Sequence, residues 1–207
     1  MTRIKCCGMT RIEDALLAAR LGADAIGLVF TSRSPRQVSI EQACAIVRDL
    51  PPFVATVALF MNDEEDLVRE VLEAVRPTLL QFHGSEANAW CAHFKYPFLK
   101  AVAMGEGASA LGQLTRYPHA AALLLDGHAP DAAGGTGRQF DWSLVPSGAM
   151  QPLILAGGLD AGNVGAAIHA MHPWAVDVSS GVEQAPGIKD PAKLAAFIRA
   201  VQAADQA

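Results

Sequence analysis

The residue best placed to do chemistry in this chain is Cys7, at the end of the opening segment Thr2-Arg3-Ile4-Lys5-Cys6-Cys7-Gly8. The segment reads as a short strand that stops at Gly8. Side chains alternate along a strand, so Arg3, Lys5 and Cys7 share one face while Ile4 and Cys6 share the other. A thiol at a strand end can act as a base or nucleophile when a neighbouring cation favours its anion. Lys5 is expected to draw the Cys7 pKa below the free value of about 8.5. A cysteine in an apolar segment is more often a small buried hydrophobe. Which reading holds depends on what the fold brings to Cys7.

Other candidates recur at the ends of apolar runs. Asp126 closes Ala121-Ala122-Leu123-Leu124-Leu125, where partial desolvation raises a carboxylate's pKa and suits it to general acid work. Its plainer role is to cap the turn at Gly127 and His128. Gln81 and His83 share a face in Gln81-Phe82-His83-Gly84. Arg36 ends the polar stretch Thr31-Ser32-Arg33-Ser34-Pro35-Arg36, and a lone arginine is usually solvated. Gly157-Gly158 allows close backbone approach, and Ser179-Ser180-Gly181 offers hydroxyl and amide donors; as a pair these turns suit a phosphate. Gly134-Gly135-Thr136-Gly137 is either a flap over substrate or a flexible turn.

The elements that must position these residues repeat along the whole chain. Apolar runs begin near Thr2, Asp24, Phe53, Thr78, Phe98, Ala121, Pro152 and Ala175. Helical patterns fall near Ile12–Leu21, Ile40–Leu50, Asp63–Val75, Glu86–Phe94, Ala108–Arg116, Asp141–Val145, Ala161–Met171 and Pro191–Ala203. Thr10 with Glu13, Ser39 with Gln42, and Asn62 with Glu65 have capping-box spacing. Runs such as Phe53–Phe60 are apolar on both faces, as in a parallel sheet covered by helices. Eight strand-then-helix units predict one (β/α)8 TIM barrel over residues 1–207, below the usual size of about 250. The competitor, an open doubly wound sheet, would favour a G-x-G-x-x-G turn that is absent. In the barrel, Cys7, Arg36, His83, Asp126, Gly157-Gly158 and Ser179–Gly181 all fall at the C-terminal strand ends, where such folds keep their active sites.

Composition narrows the partners. The chain has 207 residues, 51% of them hydrophobic and 18% charged, which suits one sizeable core. A net charge of −5 argues against a nucleic acid or an anionic membrane surface as the main partner. No apolar run approaches the roughly 18 residues of a membrane span, and the N-terminus lacks a signal-peptide layout. Cys6, Cys7, Cys44 and Cys91 include no C-x-x-C pair and no zinc spacing, so no metal is expected and a reducing cytoplasm is. His169 and His172 read as surface residues.

Taken in order, the motifs resemble the phosphoribosylanthranilate isomerase family of tryptophan biosynthesis from end to end. The matching stretches are Lys5–Thr10, Gly22–Gly27, Ser34-Pro35-Arg36, Gln81–Gly84, Leu125-Asp126, Gly134–Gly137, Phe140-Asp141-Trp142, Ala156–Leu159 and Asp177–Glu183. Cys6 departs from the family's usual aliphatic residue, and parity turns it toward the helix layer as a packing substitution. The resemblance implies a cofactor-free Amadori rearrangement of N-(5'-phosphoribosyl)anthranilate to 1-(2-carboxyphenylamino)-1-deoxyribulose 5-phosphate. Asp126 would protonate the ring oxygen as general acid, and Cys7 would take the proton from C2 as general base. Arg36 would pair with the anthranilate carboxylate; Gln81, His83, Gly135 and Asp177 would contact substrate. Gly157, Gly158, Ser179, Ser180 and Gly181 would hold the phosphate. Two rivals are a non-catalytic sugar-phosphate-binding barrel and the isomerase of histidine biosynthesis. The first has no need of Cys7 with Asp126, and the second would show another phosphate turn near Met104–Gly107. The partner implied is a small sugar phosphate, and the chain could be a monomer or a homodimer.

Overall fold

Two separate apolar layers account for strands that are apolar on both faces. The computed structural model describes residues 1–105, 112–127, 140–142, 145 and 149–207. Its elements follow in order: β1 (Arg3–Cys6), α1 (Ile12–Leu21), β2 (Ala25–Val29), α2 (Ile40–Asp49), β3 (Ala55–Phe60), α3 (Glu65–Ala74), β4 (Leu79–Phe82) and α4 (Asn88–His93). Then come β5 (Phe98–Ala103), β6 (Ala122–Asp126), β7 (Leu153–Leu155), α5 (Val164–Met171), β8 (Ala175–Val178), β9 (Glu183–Ala185), β10 (Ile188–Lys189) and α6 (Pro191–Ala204). Strands β1 to β8 form a closed parallel barrel in sequence order, with β8 returning to pair β1. The expected TIM barrel is the observed architecture, and the open sheet is excluded by that closure.

Strand parity sorts the residues into the two layers. Outward-facing side chains such as Cys6, Ile26, Leu28, Phe60, Phe82, Leu123 and Val176 pack against the helices. Val57, Leu99, Ala101, Leu124, Ile154 and Ala156 fill the barrel axis. Cys7 belongs to a third cluster inside the mouth, with Val29 and Leu59. Cys6 is therefore a helix-layer hydrophobe, as its parity required.

Helix ends agree only in part with the capping patterns. Ser39 and Gln42 form the expected capping box on α2, and Asp190 with Pro191 opens α6. Thr10 does not cap α1; its hydroxyl donates to the Gly187 carbonyl at 2.6 Å, so the hairpin β9–β10 claims it. Asn62 does not cap α3 either. It sits at φ 56 and accepts from the Ser85 backbone, tying the turn after β3 to the turn after β4. Part of the helix expected near Ala108–Arg116 lies outside the described residues, and residues 112–116 form a 3₁₀ turn and bends instead. Of the short helix expected at Asp141–Val145, the described part shows a single turn closed by Val145 N–H on the Trp142 carbonyl.

Candidate active site

The inward positions at the barrel's C-terminal rim are polar, and they meet in one cleft. Cys7, Thr31, Arg36, Gln81, His83, Asp126, Asp177 and Ser179 line it, with Val29, Leu59 and Met61 as its apolar wall. Cys7 and Asp126, from β1 and β6, thus share a single concavity.

Cys7 follows β1 and continues its ladder, donating its N–H to the Val178 carbonyl at 2.8 Å. Its thiol is 6% exposed and fits because β2 presents Gly27 opposite it. A Cβ at Gly27 would lie 2.6 Å from the Cys7 sulfur and 3.0 Å from its Cα, closer than atoms can pack. Lys5, one step deeper on the same face, bonds Asp177 of β8 at 2.8 Å. Burial works against the Lys5 charge, but Asp177 and Cys7 outweigh it and hold its pKa above the ordinary lysine range.

The expectation of an acidified thiol fails. Burial pushes the Cys7 pKa up, and the pull of Lys5 is insufficient to reverse it, because Asp177 takes that ammonium and itself disfavours the thiolate. The resting thiol is protonated at neutral pH.

Arg36 is not the solvated arginine its isolation suggested. It is 8% exposed, and its Nε and Nη2 donate to the two oxygens of Glu183 at 2.8 and 2.7 Å, a fork on a carboxylate. Nη1 makes no hydrogen bond to the described residues, and the side chain lines the cleft. Gln81 and His83 act as a unit. Gln81 Nε2 is 3.0 Å from His83 Nδ1, and His83 Nε2 is 3.5 Å from Asp126 Oδ2. With the amide donating to Nδ1, the ring proton sits on Nε2 and faces Asp126. The turn that carries His83 is clamped from behind: buried Lys100 bonds Glu86 at 3.1 Å and the Phe82 carbonyl at 3.2 Å.

The two turns read as a phosphate cradle lie against each other. A Cβ at Gly181 would come within 1.9 Å of the Leu159 carbonyl, so the turn after β8 touches the turn after β7 only as glycine. Gly157 and Gly158 have φ of 84 and 65. The N–H groups of Gly157, Gly158, Ser180 and Gly181 have no acceptor among the described residues. Gly135 lies outside the described residues, as does the whole segment Gly134–Gly137. His169 and His172 are exposed, as read from the sequence.

Sequence reasoning missed three site residues. Thr31 is 3% exposed and its hydroxyl has no hydrogen-bond partner among the described residues, as is true of Gln81 Oε1. Inward parity continued from Val29 would have found it. Glu183 and Lys189 lie in the hairpin β9–β10, which carries no apolar run to announce it.

Comparison with known proteins places this geometry. A family model described as N-(5'phosphoribosyl)anthranilate (PRA) isomerase matches residues 4–200. The chain belongs to that family. A curated relative from Pseudomonas putida (strain W619), N-(5'-phosphoribosyl)anthranilate isomerase, is 55% identical over 202 residues, covering 98% of each chain. A crystal structure of phosphoribosyl anthranilate isomerase with reduced 1-(o-carboxyphenylamino)-1-deoxyribulose 5-phosphate is 37% identical, with a TM-score of 0.88 over 98% of this chain and 100% of that one. Monomers of the dimeric phosphoribosylanthranilate isomerase from Thermotoga maritima give 36% identity and a TM-score of 0.87, with the same coverage. The enzyme isomerises N-(5'-phosphoribosyl)anthranilate in tryptophan biosynthesis.

Two measurements check the thiol's setting. Gly27→Ala displaces the Cys7 sulfur, so turnover should fall by about 100-fold, as an ångström-scale misplacement does, while the far-ultraviolet circular dichroism stays native. Unchanged turnover would mean that the sulfur's position is not critical. A raised thiol pKa puts the thiolate fraction, and so the alkylation rate, still on the increase above about pH 8.5. Iodoacetamide labelling with peptide mapping should show that climb at Cys7, with half-buried Cys44 modified sooner. A Cys7 rate that levels off below pH 8 would contradict the assignment.

Proposed function

We propose that Asp126 and Cys7 are the general acid and general base of this isomerisation. The observation that carries the reading is their meeting in one cleft with Arg36 and with Ser179 of the turn after β8. Asp126 protonates the ribose ring oxygen, and the C1–O bond breaks to leave an iminium. Cys7 removes the proton from C2, and the electron pair neutralises the iminium to give an enol-amine, which tautomerises to the ketone. The step needs a thiolate and a carboxylic acid together, and burial opposes the first. The iminium supplies a cation beside the sulfur at the moment the base is required. Charge developing on the substrate therefore assists where Lys5 alone falls short.

Around that pair, Arg36 presents Nη1 to the anthranilate carboxylate. Thr31 and Gln81 offer their unpartnered atoms to sugar hydroxyls, and His83 orients Asp126. Asp177 contacts substrate from β8, as would Gly135. The amides of Gly157, Gly158, Ser180 and Gly181, with the Ser179 hydroxyl, receive the phosphate. No cofactor takes part. Cys7→Ser and Asp126→Asn should each lower turnover by about 100-fold or more with the fold retained. In Asp126→Asn the acid's own titration is gone, so the residual turnover should climb with pH as Cys7 ionises. Near-wild-type turnover in either variant would remove its assigned role.

We further propose that the enzyme works as a homodimer in the cytoplasm, where its four free thiols remain reduced. The N-terminal end of the barrel supports a second copy as partner. Small inward residues there, Ala25, Ala55, Ala122 and Ala175, leave an apolar hollow of about 370 Å³. Phe53 stands at its rim 99% exposed, beside Trp174 at 53%. Knob and hole on the same face are what a two-fold interface requires. The Thermotoga maritima relative is described as dimeric. Sedimentation should give a dimer for the wild type and a monomer for Phe53→Ser, with turnover unchanged. A wild-type monomer at micromolar concentration would refute the interface.

A further inference from the structure

Lys189 is a fully buried lysine that the reaction does not call for. It sits on β10, beyond the last barrel strand, at 0% exposure. Its ammonium has three donors and uses all of them: the Cys7 carbonyl at 2.7 Å, Glu183 Oε1 at 2.8 Å and the Ser179 carbonyl at 3.2 Å. Each acceptor belongs to a different part of the proposed machinery. Cys7 carries the base, Ser179 belongs to the phosphate turn, and Glu183 holds the guanidinium of Arg36.

The surroundings hold the lysine as firmly as it holds them. Its own N–H donates to Asp14 Oδ2 at 3.0 Å, and Asp14 is gripped by Arg11 at 2.7 Å, which anchors β10 to α1. Lys193 of α6 donates to the Glu183 carbonyl at 2.9 Å. Glu183 is ionised. Burial alone would raise its pKa, but Arg36 and Lys189 more than offset this and hold it below the usual carboxylate range. One anion between two cations leaves a net positive charge, so Arg36 keeps attraction for an anionic substrate although its fork is occupied.

We propose that Lys189 is a positioning residue for the isomerisation. Its ammonium fixes the main chain that carries Cys7, the turn that receives phosphate and the carboxylate that aims Arg36. This rests on the proposed roles of Cys7 and Arg36. A buried lysine that only stabilised the fold would affect melting and leave kcat and KM of the folded enzyme alone. A positioning lysine changes both, because Cys7 governs the proton transfer and Arg36 governs binding.

The test compares Lys189→Arg, Lys189→Met and the double variant Lys189→Met/Glu183→Gln with Lys193→Met as control. Kinetics with N-(5'-phosphoribosyl)anthranilate are measured where circular dichroism shows each protein fully folded. Lys189→Arg keeps the charge and folds, but a planar fork cannot reach three divergent acceptors, so kcat should fall about 10-fold. Lys189→Met should lose about 100-fold in kcat and show a higher KM. The double variant also removes the carboxylate that aims Arg36; it should show a KM at least as high as that of Lys189→Met and no recovery of kcat. Lys193→Met should match the wild type. Wild-type kcat and KM in folded Lys189→Arg or Lys189→Met would overturn the proposal, as would full kinetic recovery in the double variant. A parallel Cys7→Ser measurement separates the two ideas: undiminished turnover there would refute the base assignment itself, whatever the Lys189 variants do.

Discussion

The structure depends most on the contact between Lys5 and Asp177, whose 2.8 Å bond joins the first barrel strand to the last. The residues lie 172 positions apart in sequence and opposite each other in register, so their bond forms only once the barrel has closed. Both side chains are more than nine-tenths buried. A buried charge that loses its partner costs about 3–5 kcal/mol, which penalises any closure in another register. Asp177 also lines the cleft. Cys7 stands one inward step above Lys5, and Ser179 stands one above Asp177.

That pairing explains why the Cys7 thiol is not simply activated by its lysine. An ammonium beside a thiol lowers its pKa when the ammonium is uncommitted. Here Asp177 shares it, and the pair approaches neutrality as seen from Cys7. The barrel therefore holds Cys7 as a thiol, and in the proposed mechanism the positive charge that favours its anion comes from the substrate. Arg36 follows a similar pattern, since Glu183 occupies its fork and leaves one edge for a ligand. In both places a charge needed for chemistry is held by a counter-charge needed for folding.

The fold was legible because it follows from local rules repeated eight times. Apolar runs bounded by turns marked the strands, and parity correctly separated Cys6 from Cys7 and placed Gln81 with His83. Asp126 was legible because a carboxylate closing three leucines is conspicuous. The caps at Thr10 and Asn62 were misread because distant partners, the Gly187 carbonyl and the Ser85 amide, won those side chains. The partner that holds Arg36 was not legible for the same reason, its carboxylate lying 147 residues away. Lys189 was invisible: two strand residues in a hairpin give no periodicity, and nothing local indicates that a lysine is buried. What sequence patterns convey is which face a residue occupies. They do not convey which partner a long polar side chain will find.

The balance of charge in the cleft bears on how an acidic protein holds a phosphate ester. The chain carries a net charge of −5, and Arg36 is the one cation among the described residues lining the cleft. Glu183 neutralises one of the two charges of Arg36 and Lys189, and Lys5 is matched by Asp177. A single net positive charge is left for a phosphate dianion and a carboxylate together. Amide dipoles can do this work without it, since they converge on an anion and need no counter-charge when the site is empty. A free lysine at the same place would favour the phosphate but would also draw the thiol proton equilibrium of Cys7 and disturb the Lys5–Asp177 pair. In the proposed mechanism, neutral donors bind the phosphate end while leaving the electrostatics around the base to the substrate's own iminium. The glycines at 157, 158 and 181 then matter for reactivity as well as for space: they let backbone stand where a charged side chain would have upset the proton balance.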